Sequence, residues 1–258
     1  MKYYLVVLLC LVCVEASAAD LMYLGKPIDS LCFFEPEENT GLIKLTECGI
    51  KKEKYTLKGQ DQHLIQRGYI GFDWKDQNVP YPSQGYSYYK AFPASNKQYW
   101  VYTINGTGGS GEFTAIKIVK RNNDTVEMKT IAVGDRCNGG IQDVKQQDNH
   151  LRFSINVTPY DFFVLANQAH AIKAYDDLPA CAACCAAKAM YEVSADLKLT
   201  FLYIDMGTTK DAEEMPAQGR YEKCFNHLFV QYIAMGKTKL NDAQLKQFVN
   251  EFNGKCVK

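Results

Sequence analysis

The chain has 258 residues, 29 basic and 29 acidic side chains, 22% charged residues, and 13 Phe and 17 Tyr against two Trp. That composition excludes an intrinsically disordered chain and suits one large domain or two small ones. With no net charge, the chain has no electrostatic reason to seek nucleic acid or an anionic membrane as partner.

Residues 1–18 read as an export signal. Met1 and Lys2 give a short positive start, Tyr3 to Val14 is an apolar run of signal-core length, and Ala16-Ser17-Ala18 offers small residues to a peptidase, so cleavage is expected before Ala19. The run is shorter than the roughly 20 apolar residues that cross a bilayer. Later, Phe162 to Ala166 is bounded by Asp161 and Asn167, so no stable membrane insertion is expected. The destination is read as secreted or periplasmic, with bacterial and eukaryotic origin both open.

Eight cysteines follow the leader: Cys32, Cys48, Cys137, Cys181, Cys184, Cys185, Cys224 and Cys256. An even number in an exported chain points to disulfides, of which eight cysteines allow about 105 connectivities. The spacing favours a local Cys32–Cys48 loop. The isolation of Cys137 in the β-rich region points to at least one bridge from it to the cysteines near Cys184, which can in turn reach Cys224 or Cys256. Three N-x-Thr sequons, at Asn105, Asn123 and Asn156, matter only in a eukaryotic secretory route.

From Tyr69 to Thr158 the period is two. Tyr86 to Phe92 and Tyr99 to Ile104 read as neighbouring strands, and Thr114 to Val119 turns through Arg121-Asn122-Asn123-Asp124 into Val126 to Val133 as a hairpin. Leu151, Phe153, Ile155 and Val157 alternate with Arg152, Ser154, Asn156 and Thr158, as a strand with one wet face requires. Thr158-Pro159-Tyr160-Asp161 then predicts a helix through about Lys173. Ala180 to Met190 reads as a buried helix and Leu197 to Ile204 as a further strand. Two amphipathic helices follow, on Tyr221 to Ile233 and Leu245 to Phe252. The expected fold is α+β: an antiparallel β-meander, as a sheet or partly open barrel, over residues 19–158, then a disulfide-stapled, mainly helical region over 159–258 packed on it as one unit.

Cys181-x2-Cys184 with Cys224-x2-His227 has the ligand types of a tetrahedral zinc site. Export turns such thiols into structural bridges instead, so no cofactor is expected. A third reading is a redox-active Cys181–Cys184 pair at a helix start. The glycine-dense stretch from Asn105 to Glu112 reads as a hairpin loop, since phosphate-binding glycine loops open helices. Around Gly134-Asp135-Arg136-Cys137-Asn138-Gly139-Gly140, Asn-Gly signals a tight hairpin turn, while Arg136 offers a forked donor and Asp135 an acceptor. Gly236-Lys237-Thr238 reads as a helix-to-helix turn.

Tyr81, Tyr86, Tyr88, Tyr89, Tyr99, Trp100 and Tyr102 form an aromatic belt, either a tyrosine-rich core or a face that stacks on sugars or anchors a protein. The functional expectation is an exported, disulfide-stabilised binding or inhibitor-type protein whose partner is a protein or glycan. Its candidate contacts are Tyr88, Trp100, Glu112, Asp135, Arg136 and Asn138. The alternatives are an exported hydrolase with Glu112 and Asp135 in a cleft, and the zinc or thiol-redox protein.

Overall fold

The computed structural model describes residues 21–34, 40–49, 55–77, 84–109, 111–137, 139–208 and 219–257. The export-signal expectation, Tyr81 and Asn138 lie outside them. Among the described residues fourteen strands run in chain order: β1 (Met22–Tyr23), β2 (Lys26–Pro27), β3 (Thr40–Lys44), β4 (Tyr55–Gly59), β5 (Ile70–Asp76), β6 (Gln84–Pro93), β7 (Gln98–Gly106), β8 (Glu112–Asn122), β9 (Thr125–Gly134), β10 (Ile141–Gln147), β11 (His150–Val157), β12 (Ala187–Ser194), β13 (Leu199–Asp205) and β14 (Lys239–Leu240). The helices are α1 (Gln62–Gln66), α2 (Pro159–Leu165), α3 (Glu222–Ala234) and α4 (Asp242–Cys256).

The strands form a seven-stranded antiparallel sheet in the order β3-β9-β8-β7-β6-β5-β4, a five-stranded one in the order β10-β11-β12-β13-β14, and the small β1-β2 pair. The expected neighbours appear: β6 with β7, β7 with β8 across the glycine-dense loop, and β8 with β9 as a hairpin.

Strand β7 sits mid-sheet and is buried on both faces. Its Trp100, Tyr102 and Ile104 pack with Ile116 and Ile118 against Leu151, Phe153 and Val193 of the second sheet. Its Tyr99 and Val101 meet Leu21, Ile28, Cys32, Phe33 and Leu45 of the N-terminal segment. Cys32 and Cys48 are bridged, which closes that segment on itself.

The alternation of β11 holds: Leu151 and Phe153 join the inter-sheet core, while Arg152 pairs with Glu192 across the strands at 2.6 Å. Farther along the same face, Val157, Ala189 and Ile204 meet the helices, in a core dominated by Phe162, Phe163, Phe225, Phe229, Phe248 and Phe252. The five-stranded sheet therefore shares its dry side between the seven-stranded sheet and the helical layer. Tyr191 packs against both clusters and stands between Phe153 and Phe201, with ring centroids 5.8 and 5.7 Å away.

Helix starts follow the local chemistry. Thr158 and Asp161 form a capping box with Pro159 in the first turn of α2, and Asn241 with Gln244 caps α4. Gly236, at φ +75°, ends α3 and turns the chain through β14 into α4. The Cys224–Cys256 bridge then ties the start of α3 to the end of α4.

Three expectations about the second half are corrected. The helix expected through Lys173 ends at Leu165, with Asn167 at φ +58° and a single 3-10 turn at Ala169–Ala171. The helix expected over Ala180 to Met190 is absent: residues 180–186 are irregular, and Ala187 onward is strand β12. Pairing of all eight β12 residues with β11 overrides the helical preference of alanine. The sheet therefore does not end at Thr158, because β12 and β13 follow it; the expected strand at Leu197 to Ile204 corresponds to β13.

Candidate functional site

A cleft of about 830 Å3 opens where the inner face of the seven-stranded sheet parts from β10, the edge strand of the second sheet. Cross-strand register builds its floor. Asp73 of β5 is opposite Tyr86 of β6, Tyr86 is opposite Gly106 of β7, and Gly106 is opposite Glu112 of β8. These four residues form one row across four strands, roughly 14 Å of sheet at the usual spacing.

The glycine in that row has a specific task. A Cβ on Gly106 would lie 2.4 Å from the Tyr86 ring, so only glycine lets the ring lie across β7. Tyr86 then donates its hydroxyl hydrogen to Glu112 Oε2 at 3.0 Å. Gly71 plays the same part for Tyr88, whose Cδ1 would lie 2.7 Å from an added Cβ. The Tyr88 hydroxyl donates to Asp73 Oδ1 at 2.9 Å and accepts from the Asp61 backbone N–H at 2.6 Å. Asp61 also caps α1, which fixes that helix beside the cleft.

Burial pushes the Glu112 carboxyl above the usual carboxylate range, against the opposing effect of the Tyr86 hydrogen bond. The Tyr88 phenol is pushed up to about 12, chiefly by burial, and burial with the nearby Glu112 raises Tyr86 as well. Both phenols remain protonated donors at neutral pH. Across the cleft, Asp143 is bound by Lys188 Nζ at 2.9 Å and by Ser154 Oγ at 3.0 Å, and the lysine bond holds its carboxyl below the ordinary value. Among the described residues, neither Asp73 nor Glu112 has an ion-pair partner. Arg67 and Lys145 also line the cleft, Arg67 lying 5.5 Å from the Tyr69 ring centre.

The candidate residues from the sequence separate. Tyr88 and Glu112 line this cleft. Trp100 is fully buried in the inter-sheet core, and Tyr89, Tyr99 and Tyr102 are buried too, so most of the described aromatic belt is core, while Tyr86 is partly exposed to the cleft. Asp135 and Arg136 line a different depression of about 290 Å3, and among the described residues no histidine lines either cavity. The grouping of Glu112 with Asp135 is therefore corrected. Arg136 is already engaged, with Nη1 2.8 Å from Asp161 Oδ2 and 3.3 Å from Thr158 Oγ1.

The stretch around Asp135 is also no hairpin. It carries the chain from β9 in one sheet to β10 in the other, and Cys137 anchors it to Cys185, as the isolation of Cys137 suggested. Cys181 and Cys184 close on each other rather than reaching Cys224 or Cys256. The proposed ligand set of Cys181, Cys184, Cys224 and His227 is thus not assembled: its sulfurs sit in two separate bridges, and His227 meets Gln231 at 2.9 Å. The redox reading loses its helix start, because residues 180–186 are not helical.

Sequence reasoning missed Asp61, Asp73 and Asp143. Asp73 left no local signal, because Gly71, Asp73 and Lys75 form the polar parity of a strand whose apolar side chains are Ile70, Phe72 and Trp74. No helix among the described residues is long and apolar enough to cross a membrane. No protein-family model, curated protein or solved structure matches the chain.

Proposed function

We propose that this is an exported binding protein of the inhibitor or ligand-capture type that takes a small polar ligand, a glycan being the leading class, into the cleft between the sheets. The observation that carries the reading is the pair Asp73 and Glu112. Each is held by a tyrosine hydroxyl, neither is ion-paired among the described residues, and both face a cavity of about 830 Å3. A carboxylate accepts about four hydrogen bonds, so each retains acceptor capacity that sugar hydroxyls satisfy. The four disulfides among the described residues are compatible with an oxidising compartment.

Screening immobilised glycans with the folded protein tests this reading. Binding that falls at least about tenfold in both Asp73→Asn and Glu112→Gln, the cost of one charge-assisted hydrogen bond, supports it. Binding that survives both changes assigns the ligand elsewhere.

A second reading, hydrolysis, draws on Glu112 alone. A carboxyl that burial raises, lining a cleft, has the character of a general acid. Turnover of a bound glycan that disappears in Glu112→Gln while binding persists would select this reading over simple capture.

A further inference from the structure

We infer that Asn123 is the sequon, of the three in this chain, whose folded surroundings admit an N-linked glycan. The inference rests on the export reading, in a secretory route equipped to attach glycans.

The three asparagines occupy different environments. Asn105 is 4% exposed on β7, and its Oδ1 accepts from Ser87 Oγ at 2.7 Å. Asn156 is 7% exposed on β11, and its Nδ2, the atom a glycan would use, faces the carbonyls of Arg136 and Cys137 at 3.4 Å each. Its backbone N–H is also held, by the Gly140 carbonyl at 2.8 Å. A sugar on either side chain needs space that neighbouring strands or the disulfide-anchored crossover already fill.

Asn123 lies instead at the tip of the β8–β9 hairpin, just beyond the last cross-strand pair, Asn122 with Thr125. It is exposed and at φ +54°, a conformation asparagine tolerates better than most residues. The tip is held through the backbone: Arg121 Nε donates to the Asn123 carbonyl and Thr125 Oγ1 to the Asn122 carbonyl, both at 2.9 Å. No hydrogen bond among the described residues engages the Asn123 carboxamide. The adjoining depression, shaped by Lys97, Tyr99 and Arg121, is shallow and open.

The transfer balances with a lipid-diphosphate-linked oligosaccharide as co-reactant. Asn123 Nδ2 forms a bond to the sugar C1 as the C1–O bond to diphosphate breaks; the lipid diphosphate leaves, and one amide proton passes to a base. The reaction precedes folding, so a chain modified at Asn105 or Asn156 cannot close its core, whereas one modified at Asn123 folds. At about 3.4 Å per residue, β8 places the tip roughly 35 Å from Glu112. The glycan therefore stands at the far end of the sheet and leaves the cleft open.

The test is secretion of the full chain, with its own residues 1–18 as leader, from a eukaryotic host, followed by intact mass and by glycan release that converts the modified Asn to Asp. The expected result is a single occupied site in the folded, secreted protein, mapped to Asn123, lost in Asn123→Gln and retained in Thr107→Ala, which erases the Asn105 sequon. Folded protein carrying a glycan at Asn105 or Asn156, or unmodified at Asn123, overturns the inference. If the native leader does not export the chain, the export reading fails by itself; the same chain behind the host's own leader then yields one of the two glycan results.

Discussion

Two rows cross the same three strands on the same face of the seven-stranded sheet, and they have opposite fates. Phe92, Trp100 and Ile118 lie side by side on β6, β7 and β8, and so do Tyr86, Gly106 and Glu112, six residues along each strand. The first row is closed over by the second sheet; the second row faces the cleft. What changes over roughly 20 Å is side-chain chemistry, because backbone pairing continues unbroken from one row to the other. A glycine replaces the tryptophan and a carboxylate replaces the isoleucine. The sheet thus supplies a rigid frame, and a site arises where its inward positions stop being apolar.

The largest test of that contrast is Trp100→Ala. It empties a fully buried position and is expected to cost about 3–5 kcal/mol in chemical denaturation. A loss no larger than that of a surface substitution would mean that the two rows are not differently packed.

Removing Cys137 and Cys185 together, as a double alanine variant, is expected to cost about 2–4 kcal/mol, because that bridge closes a loop spanning 48 residues. The same change at Cys181 and Cys184, three residues apart, should cost less on the same denaturation curve. Equal losses would remove loop length as the explanation.

Gly106→Ala sharpens the comparison at the open row. Its Cβ collides with the Tyr86 ring, so the variant should lose about 1–3 kcal/mol by overpacking. It should also weaken ligand capture through displacement of the Tyr86–Glu112 bond. Unchanged binding together with unchanged stability would show that the ring does not need that glycine.

The smallest expected effect is in the pH profile. Burial raises the Glu112 carboxyl in the folded state, so the folded state holds that proton more tightly than the unfolded one. Its contribution to stability is present below the unfolded value, about 4.3, and is lost as pH rises through the higher folded value. Glu112→Gln should therefore lose less stability than the parent chain between about pH 4 and pH 7. Parallel profiles would place Glu112 in open solvent.

Period two made the meander legible from β6 to β9 and again in β11, because each strand there alternates or carries β-formers. The odd position of Cys137 made its bridge legible. Ala180 to Met190 misled because alanine reports backbone preference only when tertiary pairing leaves it free, and here β11 claims Ala187 onward. Asn138-Gly139 misled because a hairpin turn and a link between two sheets demand the same permissive residues. The site was half legible. Glu112 and Tyr88 stand out as chemistry, but their association with Asp73 depends on register, which no local pattern contains.

The pairing of β3 with β9 has a consequence for the order of assembly. From β4 to β9 the large sheet pairs only neighbours in sequence, so each strand meets its partner almost as soon as both are made. Thr40–Lys44 instead joins Thr125–Gly134, with Thr40 opposite Lys129. A chain synthesised from its N-terminus therefore holds an early strand in waiting until the last strand of that sheet appears, and the long loop makes its closure the slow entropic step. Refolding followed strand by strand should find protection at β7 and β8 ahead of β3, so that the N-terminal segment seals the outer face of a sheet already formed.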